Sequence, residues 1–354
     1  MRRTYISVRW WSLLALIGLL ASSSLVLAQN KVVVVPLGSS GYPCQSCPPE
    51  IVVTTSDSIQ KAIDKLPATG GTVFLKAGVH NLSAGIHINH SNISMIGEHG
   101  AALKLQNTVN QPVILIGTDV ATPSAPDQIS NISIANLEID GNKAGQTSET
   151  DPARPHIRNN GIDIRAVSDL WISDVDVHDA RSGGIVASWK SRNIFISGVN
   201  AHDNYYDGIA LYDSSQIIIS NFISSGNDHG AGLSLDNDLN HVSFNGGIIQ
   251  NNADVGIFAR HSENLLFSNL NVSGNGSHGA FLSHDGADPA TTGVKSILFT
   301  GCSFQGNKGY GIQLASPSTS SNKNAVTGTL FNNNTAGCIL YTLGSLTEGG
   351  NVCF

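Results

Sequence analysis

Short apolar strands recur along the chain at a nearly constant spacing, and each begins after a glycine. Successive glycines are 23 or 24 residues apart through most of the chain, and 32 and then 26 residues apart near its end. The glycines and the residues that follow them are Gly161-Ile162, Gly184-Ile185, Gly208-Ile209, Gly232-Leu233, Gly256-Ile257, Gly279-Ala280, Gly311-Ile312 and Gly337-Cys338. Two more short apolar runs lie in each interval, for example at 193–196 and near 199. Each unit therefore predicts three short strands and leaves no room for a helix.

Three strands in about 24 residues favour a coil of three parallel sheets, in which each turn stacks on the next at ~4.8 Å. A βαβ unit would need a helix between its strands, and a ladder of hairpins would need tight Asn-Gly or Asp-Gly turns. We predict an all-β coil of about ten turns. A stacked antiparallel sandwich is the alternative, but it does not account for so regular a period.

Asparagine and aspartate recur with the same period, at the turn that precedes each glycine. We assign them to two columns, in which stacked amides hydrogen-bond along the coil axis and Asn tolerates a left-handed turn. The first column is Asp179, Asp203, Asn227 and Asn251, and the second is Asn204, Asp228, Asn252 and Asn275. These residues are expected to be structural.

The segment before the repeats predicts a short amphipathic helix over 56–66. Its apolar residues at 59, 62, 63 and 66 lie on one face, and Pro67 ends it. Gly70-Gly71 then turns into a strand at 72–75. Such a helix would cover the open end of the coil. The predicted domains are a signal peptide (1–28), an extension (29–55) and one β domain (56–354) made of the capping helix, coils over 67–345 and a tail over 346–354.

Three segments resemble the N-terminal cap and first turns of the pectate lyase-like superfamily. They are Ser58-Ile59-Gln60-Lys61-Ala62-Ile63-Asp64, Gly70-Gly71-Thr72-Val73-Phe74-Leu75-Lys76-Ala77-Gly78 and Ile93-Ser94-Met95-Ile96-Gly97-Glu98. The resemblance covers roughly residues 50 to 345. It implies a right-handed parallel β-helix in a secreted protein that acts on polysaccharides. The superfamily includes lyases, hydrolases, epimerases and non-catalytic members, so the reaction does not follow from the fold.

The N-terminus has the pattern of an export signal. Arg2, Arg3 and Arg9 precede an apolar run, and Val26 and Ala28 stand at the −3 and −1 positions of a cut before residue 29. An uncleaved membrane anchor is the alternative. We therefore expect a secreted or periplasmic monomer with no membrane association after cleavage.

Composition narrows the range of partners. Charged residues make up 13% of the 354 residues, against about 25% in a typical domain. Without the signal segment the chain has 16 basic and 26 acidic side chains, a net charge of −10. A nucleic-acid ligand would require clustered Lys and Arg, so it is excluded as a partner. An extended polysaccharide is the expected partner.

The five cysteines are compatible with export. Cys44 and Cys47 form a C-x-x-C that has neither a thioredoxin-like context nor a second ligand pair for zinc, which favours a local disulfide or free thiols. Cys338 and Cys353 could join the C-terminal end, which would leave Cys302 unpaired. The sequence does not fix this connectivity.

The catalytic patterns of the superfamily are matched only in part. Polygalacturonase-like hydrolases carry an Asn-Thr-Asp strand start, then an Asp-Asp pair, then Gly-His-Gly. Here Tyr206-Asp207-Gly208 supplies the first aspartate, Gly230-Ala231-Gly232 lacks the pair, and Ser277-His278-Gly279 comes one turn late. The Asp-Pro-His of mannuronan epimerase-like members is absent from the strand at 209–212.

A carbohydrate lyase that acts on a uronic-acid-containing glycan by β-elimination is the favoured hypothesis. The alternatives are a hydrolase or epimerase of the same fold, and a non-catalytic glycan-binding or surface structural protein. Calcium would be its cofactor if acids held the metal against the uronate carboxylate. The acids available for this are Asp163, Asp207, Asp213, Asp236 and Asp238. They show no calcium-binding spacing, so the metal remains unassigned.

The site is predicted on the outer face of the strands that follow the repeating glycines, because their first and third residues are apolar and point inward. The candidate catalytic residues are Tyr212, Asp236, Arg260 and His261, and the candidate substrate-binding residues are Asp163, Arg165, Lys190, Asp213 and His284. A second candidate cluster, at the opposite end of the same strands, is Asp207, His229 and His278. The insertions 141–160, 283–295 and 315–324 are expected to wall the groove.

Overall fold

The computed structural model describes residues 49–123, 129–284, 293–316, 323–344 and 346–354, and the backbone of residues 27, 28, 31 and 32. The chain divides into two units, Met1–Cys47 and Pro48–Phe354. In the first, strands Leu27–Ala28 and Lys31–Val32 pair antiparallel. The rest of the predicted signal peptide, and Cys44 and Cys47, lie outside the described residues.

The second unit is a coil of three parallel sheets, which the chain visits in the order sheet 1, sheet 2, sheet 3 on each turn. Sheet 1 contains Glu50–Val53, Gly71–Leu75, Ile93–Gly97, Arg192–Ser197, Ser215–Ser220, Leu239–Asn245, Ser262–Ser268, Val294–Thr300, Ala325–Thr327 and Thr347–Gly349. Sheet 2 contains Gly78–Leu82, Ala101–Leu105, Asn200–His202, Ile223–Ser225, Ile248–Gln250, Asn271–Ser273, Ser303–Gln305, Leu330–Asn332 and Val352–Cys353. Sheet 3 contains Ile86–Ile88, Ile114–Gly117, Ile162–Arg165, Ile185–Ser188, Ile209–Tyr212, Leu233–Asp236, Ile257–Ala259, Ala280–Leu282, Tyr310–Ala315 and Gly337–Leu343.

A few elements depart from this plan. Ile129–Asp140 and Val167–His178 are long strands that bend through both sheet 1 and sheet 2. The insertion after residue 140 holds a 3-10 turn, Lys143–Gly145, and an antiparallel hairpin of Thr150–Asp151 with Arg154–Arg158. This hairpin contributes a residue to the candidate functional site.

The register confirms the predicted coil. In sheet 3, Ile209 pairs in parallel with Leu233, and Leu211 pairs with Leu235, each 24 residues further along the chain. All four side chains are fully buried, so the first and third positions of these strands point inward, as predicted. The ten turns expected from the sequence correspond to the ten strands of sheet 3, and the end strands of sheet 1 bring the coil to about twelve turns.

A buried asparagine ladder connects six successive turns between sheet 2 and sheet 3. Each Nδ2 donates to the Oδ1 of the next asparagine, at 2.7 to 3.1 Å. Its members are Asn204, Asn227, Asn252, Asn275, Asn307 and Asn334. The column assignment was wrong at one turn, where Asn227 and not Asp228 continues the ladder. The spacing there shortens to 23 residues, and Gly226 takes the left-handed position before it, with φ +64°.

Both ends of the coil include residues that the sequence assigned to flanking segments. Residues 50–53, predicted as extension, form the first strand of sheet 1, and residues 347–353, predicted as tail, form strands of the last turn. The capping helix spans Ile59–Lys65, with Ser58 as its N-cap and Ile59, Ala62 and Ile63 buried.

The C-terminal cysteines follow the pairing that the sequence allowed. A disulfide joins Cys338 to Cys353, and Cys302 is a free, buried thiol. Within the described residues, no helix is both long enough and apolar enough to cross a membrane.

The ladder predicts a large stability effect for one amide. Asn252 Oδ1 accepts from the backbone N–H and the Nδ2 of Asn227, so Asn252→Ala would leave buried donors unpaired. We expect a loss of about 1–3 kcal/mol in the free energy of unfolding, measured by urea denaturation. Asn245→Ala, at an exposed amide of sheet 1, is the matched control and should cost less than about 0.5 kcal/mol. Equal losses in the two variants would mean that a buried ladder amide contributes no more to the free energy of unfolding than an exposed amide does.

Candidate functional site

The outer face of sheet 3 forms a groove whose floor is the second residue of each strand. In the order of the turns, these residues are Leu115, Asp163, Val186, Ala210, Ser234, Phe258 and Phe281. The fourth positions place Arg165 beside Ser188, and Tyr212 beside Asp236. The predicted alignment of these residues on successive turns is therefore correct.

A cleft of about 380 Å³ lies over the middle of this groove. Its lining residues are Arg158, Asn160, Ser182, Gly183, Val186, Tyr206, Asp207, Ala210 and Tyr212. Val186 and Ala210 are small floor residues, so they leave room above the sheet. The lining includes a carboxylate, a guanidinium and two phenols, so it combines an acid, a base and a positive group in one place.

Asp207 and Tyr212 form a hydrogen-bonded dyad in the cleft. Tyr212 Oη donates to Asp207 Oδ2 at 3.4 Å and lies 3.2 Å from Ser234 Oγ. Asp207 Oδ1 accepts from the Ala231 N–H at 2.8 Å, which fixes the carboxylate. Burial raises the pKa of Asp207 above its usual range, and burial together with the Asp207 charge raises the pKa of Tyr212. Tyr212 is therefore a neutral proton donor, and Asp207 is a carboxylate of increased basicity.

The sequence placed these two residues in separate clusters at opposite ends of one strand. They meet because the strand Ile209–Tyr212 has only four residues and the tyrosine side chain reaches back along it. Backbone position alone did not show this contact.

Three residues that the sequence did not single out form one wall of the cleft. Tyr206 Oη donates to Glu149 Oε2 at 2.8 Å, and Arg158 Nη1 lies 3.5 Å from the same carboxylate. The Arg158 guanidinium lies 5.9 Å from the centre of the Tyr206 ring. Glu149 and Arg158 belong to the insertion 141–160, so its predicted role as a wall was the signal that could have found them.

Asp163 lies one strand before the cleft and is 3% exposed. Asn160 Nδ2 donates to its Oδ1 at 3.2 Å, and its Oδ2 has no hydrogen-bond partner. Burial raises the pKa of Asp163 to about 6. The structure therefore places this predicted binding residue beneath the surface.

Asp236 and Arg260 form an ion pair between neighbouring turns. Arg260 Nε lies 2.9 Å and Nη2 2.5 Å from Asp236 Oδ2, and Asp236 is 5% exposed. They lie beyond the cleft lining, on the two strands after Tyr212. The pair therefore borders the groove outside the cleft, and the catalytic role of these two residues stays a prediction.

The residues just beyond the strands pair with one another at the turn into sheet 1. Lys190 Nζ lies 2.6 Å from Asp213 Oδ1, and His261 Nε2 lies 2.9 Å from Asp238 Oδ1. All four have positive φ, between 43° and 62°. The left-handed turn places them at the edge of sheet 3, outside the lining of the cleft.

The remaining candidates also make local contacts. Arg165 donates to the carbonyls of Thr118 and Val120, and His284 Nδ1 lies 2.6 Å from the carbonyl of Ala315. The His229 ring lies 4.3 Å from that of Tyr205 and is tilted 32° to it, and His278 Nδ1 accepts from the Tyr310 N–H at 2.9 Å. Burial lowers the pKa of His278. None of these four lines the cleft. Parts of the insertions 283–295 and 315–324 lie outside the described residues.

The acids of sheet 3 do not converge as calcium ligands. Among the described residues, no three of these acids bring ligand atoms within 4.8 Å of one another, and Asp213, Asp236 and Asp238 each face a cationic or basic partner. These residues do not fit a calcium site.

A different group could hold a metal ion on the sheet 2 side of the coil. Ligand atoms of Asp140, His178 and Asp179 lie within 4.8 Å of one another. Lys104 Nζ lies 2.5 Å from Asp140, and Lys143 Nζ lies 3.8 Å from Asp179. The two ammonium groups already compensate these carboxylates, so the group is explained without a metal.

A family model described as "Right handed beta helix region" matches residues 196–352. The fold is a right-handed parallel β-helix of the pectate lyase-like type. The β-helix is shared with the A-module of the Azotobacter vinelandii mannuronan C-5 epimerase AlgE4, at 18% identity and a TM-score of 0.61, over 83% of this chain and 90% of that chain. It is also shared with the Streptococcus pneumoniae surface protein and adhesin PfbA, at 13% identity and 0.57, over 83% and 92%.

The β-helix of pectate lyase Pel9A is similar at 12% identity and a TM-score of 0.53, over 84% of this chain and 78% of that chain. Comparison with curated protein sequences gives no match. Identities this low establish a common fold and leave the activity to the residues of the site.

The buried carboxyl of Asp163 predicts a pH-dependent stability. Its pKa is about 6 in the folded chain and about 3.9 when unfolded, so the unfolded state releases this proton first as the pH rises. Stability should therefore fall between pH 4 and pH 6, by about 3 kcal/mol, and stay lower above pH 6. Asp163→Asn should remove this loss and be more stable than the wild type at pH 7, as measured by urea denaturation across pH.

Asp64→Asn, at an exposed acid of the capping helix, is the control and should keep the wild-type pH profile. An Asp163→Asn profile parallel to that of the wild type would show that Asp163 is ionised in the folded protein at pH 4 to 6.

Proposed function

We propose that this protein is a secreted polysaccharide-active enzyme of the lyase type, which cleaves a uronic-acid-containing glycan by β-elimination in the cleft on sheet 3. The observation that carries the proposal is the Asp207–Tyr212 dyad, which joins a carboxylate of raised pKa to a neutral phenol in a cleft that also holds Arg158. Elimination needs a base for the C5 proton, an acid for the leaving oxygen and a positive group near the uronate.

The dyad supplies the first two of these groups. Asp207 takes the C5 proton, the C4–O4 bond breaks as the C4–C5 double bond forms, and Tyr212 gives its proton to the departing O4. The base benefits from a raised pKa, and the acid must remain protonated at neutral pH. The hydrogen bond between the two side chains then lets the proton on Asp207 restore the phenol, so the site is ready for another cycle.

Arg158 supplies the positive group. It is exposed at the wall of the cleft, and its ion pair with Glu149 is long, at 3.5 Å. A uronate carboxylate can accept two parallel, charge-assisted hydrogen bonds from a guanidinium, whereas a neutral sugar has no negative charge to offer. This favours a uronic-acid glycan despite the net negative charge of the chain.

Inverting hydrolysis is the alternative reaction for a carboxyl in this groove, and the buried Asp163 does not support it. Inversion needs a second carboxyl facing the substrate, about 6.5–9.5 Å from the first. Asp163, on the strand before the cleft, is 3% exposed and does not line the cleft, so it does not supply that second carboxyl. The printed names of two similar structures, a mannuronan C-5 epimerase and a pectate lyase, agree with a uronic-acid substrate.

The test is absorbance at 235 nm, where the new double bond absorbs, during incubation of the protein with polygalacturonate, with alginate and with neutral glycans. We expect a uronic-acid glycan to give a signal, and Tyr212→Phe and Asp207→Asn each to lower kcat at least about 100-fold. Tyr341→Phe is the matched control, because Tyr341 also donates to a carboxylate, that of Glu348 in the last turn, far from the cleft. The control should keep full activity.

New reducing ends without 235 nm absorbance would indicate a hydrolase, and neither signal on any glycan would indicate a non-catalytic protein. Full activity in both dyad variants would place the chemistry elsewhere on the groove.

The pH profile gives an independent check. Since Asp207 must be ionised, kcat/KM should rise with pH through an acid limb that lies above the usual range of an aspartate. Since the pKa of Tyr212 is raised, activity should persist to at least pH 10 before the phenol ionises. An alkaline loss centred near pH 7 to 8 would contradict the role of Tyr212 as the acid.

A further inference from the structure

The outer face of sheet 3 is completely covered on two neighbouring strands and partly exposed on several of the strands after them. On strands Ile114–Gly117 and Ile162–Arg165 every residue is buried, including the outward-facing Leu115, Asp163 and Arg165, which are 2 to 5% exposed. Beyond these strands the outward residues vary: Val186, Tyr212 and Phe258 are partly exposed, whereas every residue of Leu233–Asp236 is buried. The groove is therefore covered at Ile114–Gly117 and Ile162–Arg165, and partly accessible on several of the strands after them.

Two segments contact these covered strands. Residues 118–120 follow the strand Ile114–Gly117, and Arg165 donates to their Thr118 and Val120 carbonyls at 3.0 and 2.8 Å. The hairpin at 150–158 lies against them, because Arg154 binds Asp119 at 3.2 Å and His156 Nε2 lies 2.7 Å from the Asp119 carbonyl. We call these two segments the end wall.

The end wall is anchored to the coil and is not a loose loop. Arg154 also binds Asp151, which is 1% exposed, at 2.8 Å, and Ile157 of the hairpin is fully buried. The hairpin base is tied down by the Asn159 N–H, which donates to the Glu149 carbonyl at 2.9 Å. These contacts continue to Arg158 and Asn160, which line the cleft itself.

On the accessible side of the dyad, the floor of the groove becomes aromatic. Phe258 and Phe281 occupy the second positions of the two strands after Ser234, with ring centres 6.1 Å apart. The His278 ring lies 5.9 Å from that of Phe281. Partly exposed aromatic faces on successive turns are suited to the apolar faces of sugar rings.

We infer that the glycan enters over Phe258 and Phe281, passes the dyad and ends against the end wall, so the enzyme acts on chain ends and releases a short product. One strand, Ile185–Ser188, separates the wall strand from the dyad strand. Two steps of ~4.8 Å give ~9.6 Å, enough for about two sugar rings beyond the bond that breaks. The inference rests on the proposed β-elimination and adds the substrate class, which is the free end of a uronic-acid chain.

The wild-type protein tests this directly. Polygalacturonate or alginate, whichever gives 235 nm absorbance, is digested while the product sizes are followed by size-exclusion chromatography and the viscosity is recorded. We expect unsaturated disaccharide to be the main product from the first time points, with viscosity falling slowly as absorbance rises. An early ladder of mixed oligosaccharides with a rapid loss of viscosity would overturn the inference and leave β-elimination intact. Absence of absorbance on every glycan would instead refute the proposed function.

A pair of variants tests whether the end wall sets the product length. Arg154→Ala removes the ion pairs to Asp119 and Asp151, and should raise the share of products longer than a disaccharide at least about threefold. Lys76→Ala breaks an ion pair of the same length, 3.2 Å to Glu98, on the first turns of the coil, and should leave the products unchanged. If Arg154→Ala lowers the melting temperature but leaves the product sizes unchanged, the end wall does not set the product length.

If Arg154→Ala does not fold, Phe281→Ala serves in its place. It should raise KM for long chains several-fold without changing the product size, because it lies on the entry side of the dyad. A change of product size in this variant would mean that the glycan runs in the opposite direction.

Discussion

Each turn of the coil must hold its backbone hydrogen-bonding groups and its buried asparagine where the next turn can bond to them. The rest of the structure depends on this constraint. The asparagine ladder shows it most clearly. Asn227, Asn252 and Asn275 are each buried, and each receives both the amide and the backbone N–H of the preceding turn. An unpaired amide in that position would cost the full desolvation of its donors. The period of about 24 residues is the consequence.

The same constraint produces the candidate site. Because strands pair in register, second positions form a column and the side chains on it line a straight groove. Repetition alone would make every turn alike, and the insertion 141–160 breaks the symmetry. It places Arg158 above one part of the groove and closes the part before it, so that the Asp207–Tyr212 dyad lies next to a wall. A regular scaffold thus acquires a defined cleft through a single departure from its period.

The sequence predicted the coil, the inward residues, the capping helix and the column of Tyr212 and Asp236, because all of these follow from periodicity. The prediction from sequence was wrong where the length of a side chain or a shift of one residue decides which residues are in contact. Asp207 and Tyr212 start at opposite ends of a strand, and only the length of the phenol joins them. The ladder passes through Asn227 because one turn is a residue shorter. Glu149 and Arg158 lie in an insertion without a period, so the sequence predicted a wall there but not their contacts with Tyr206.

The central claim is that a glycan binds on the outer face of sheet 3 with the dyad at the reacting sugar. A crystal structure of Tyr212→Phe soaked with a uronic-acid hexasaccharide tests it most directly. We expect continuous density for sugar rings from Phe281 to the cleft, with one C5 within reach of Asp207 and one carboxylate on Arg158. Sugar density on sheet 1 or sheet 2, with an empty cleft on sheet 3, would contradict it.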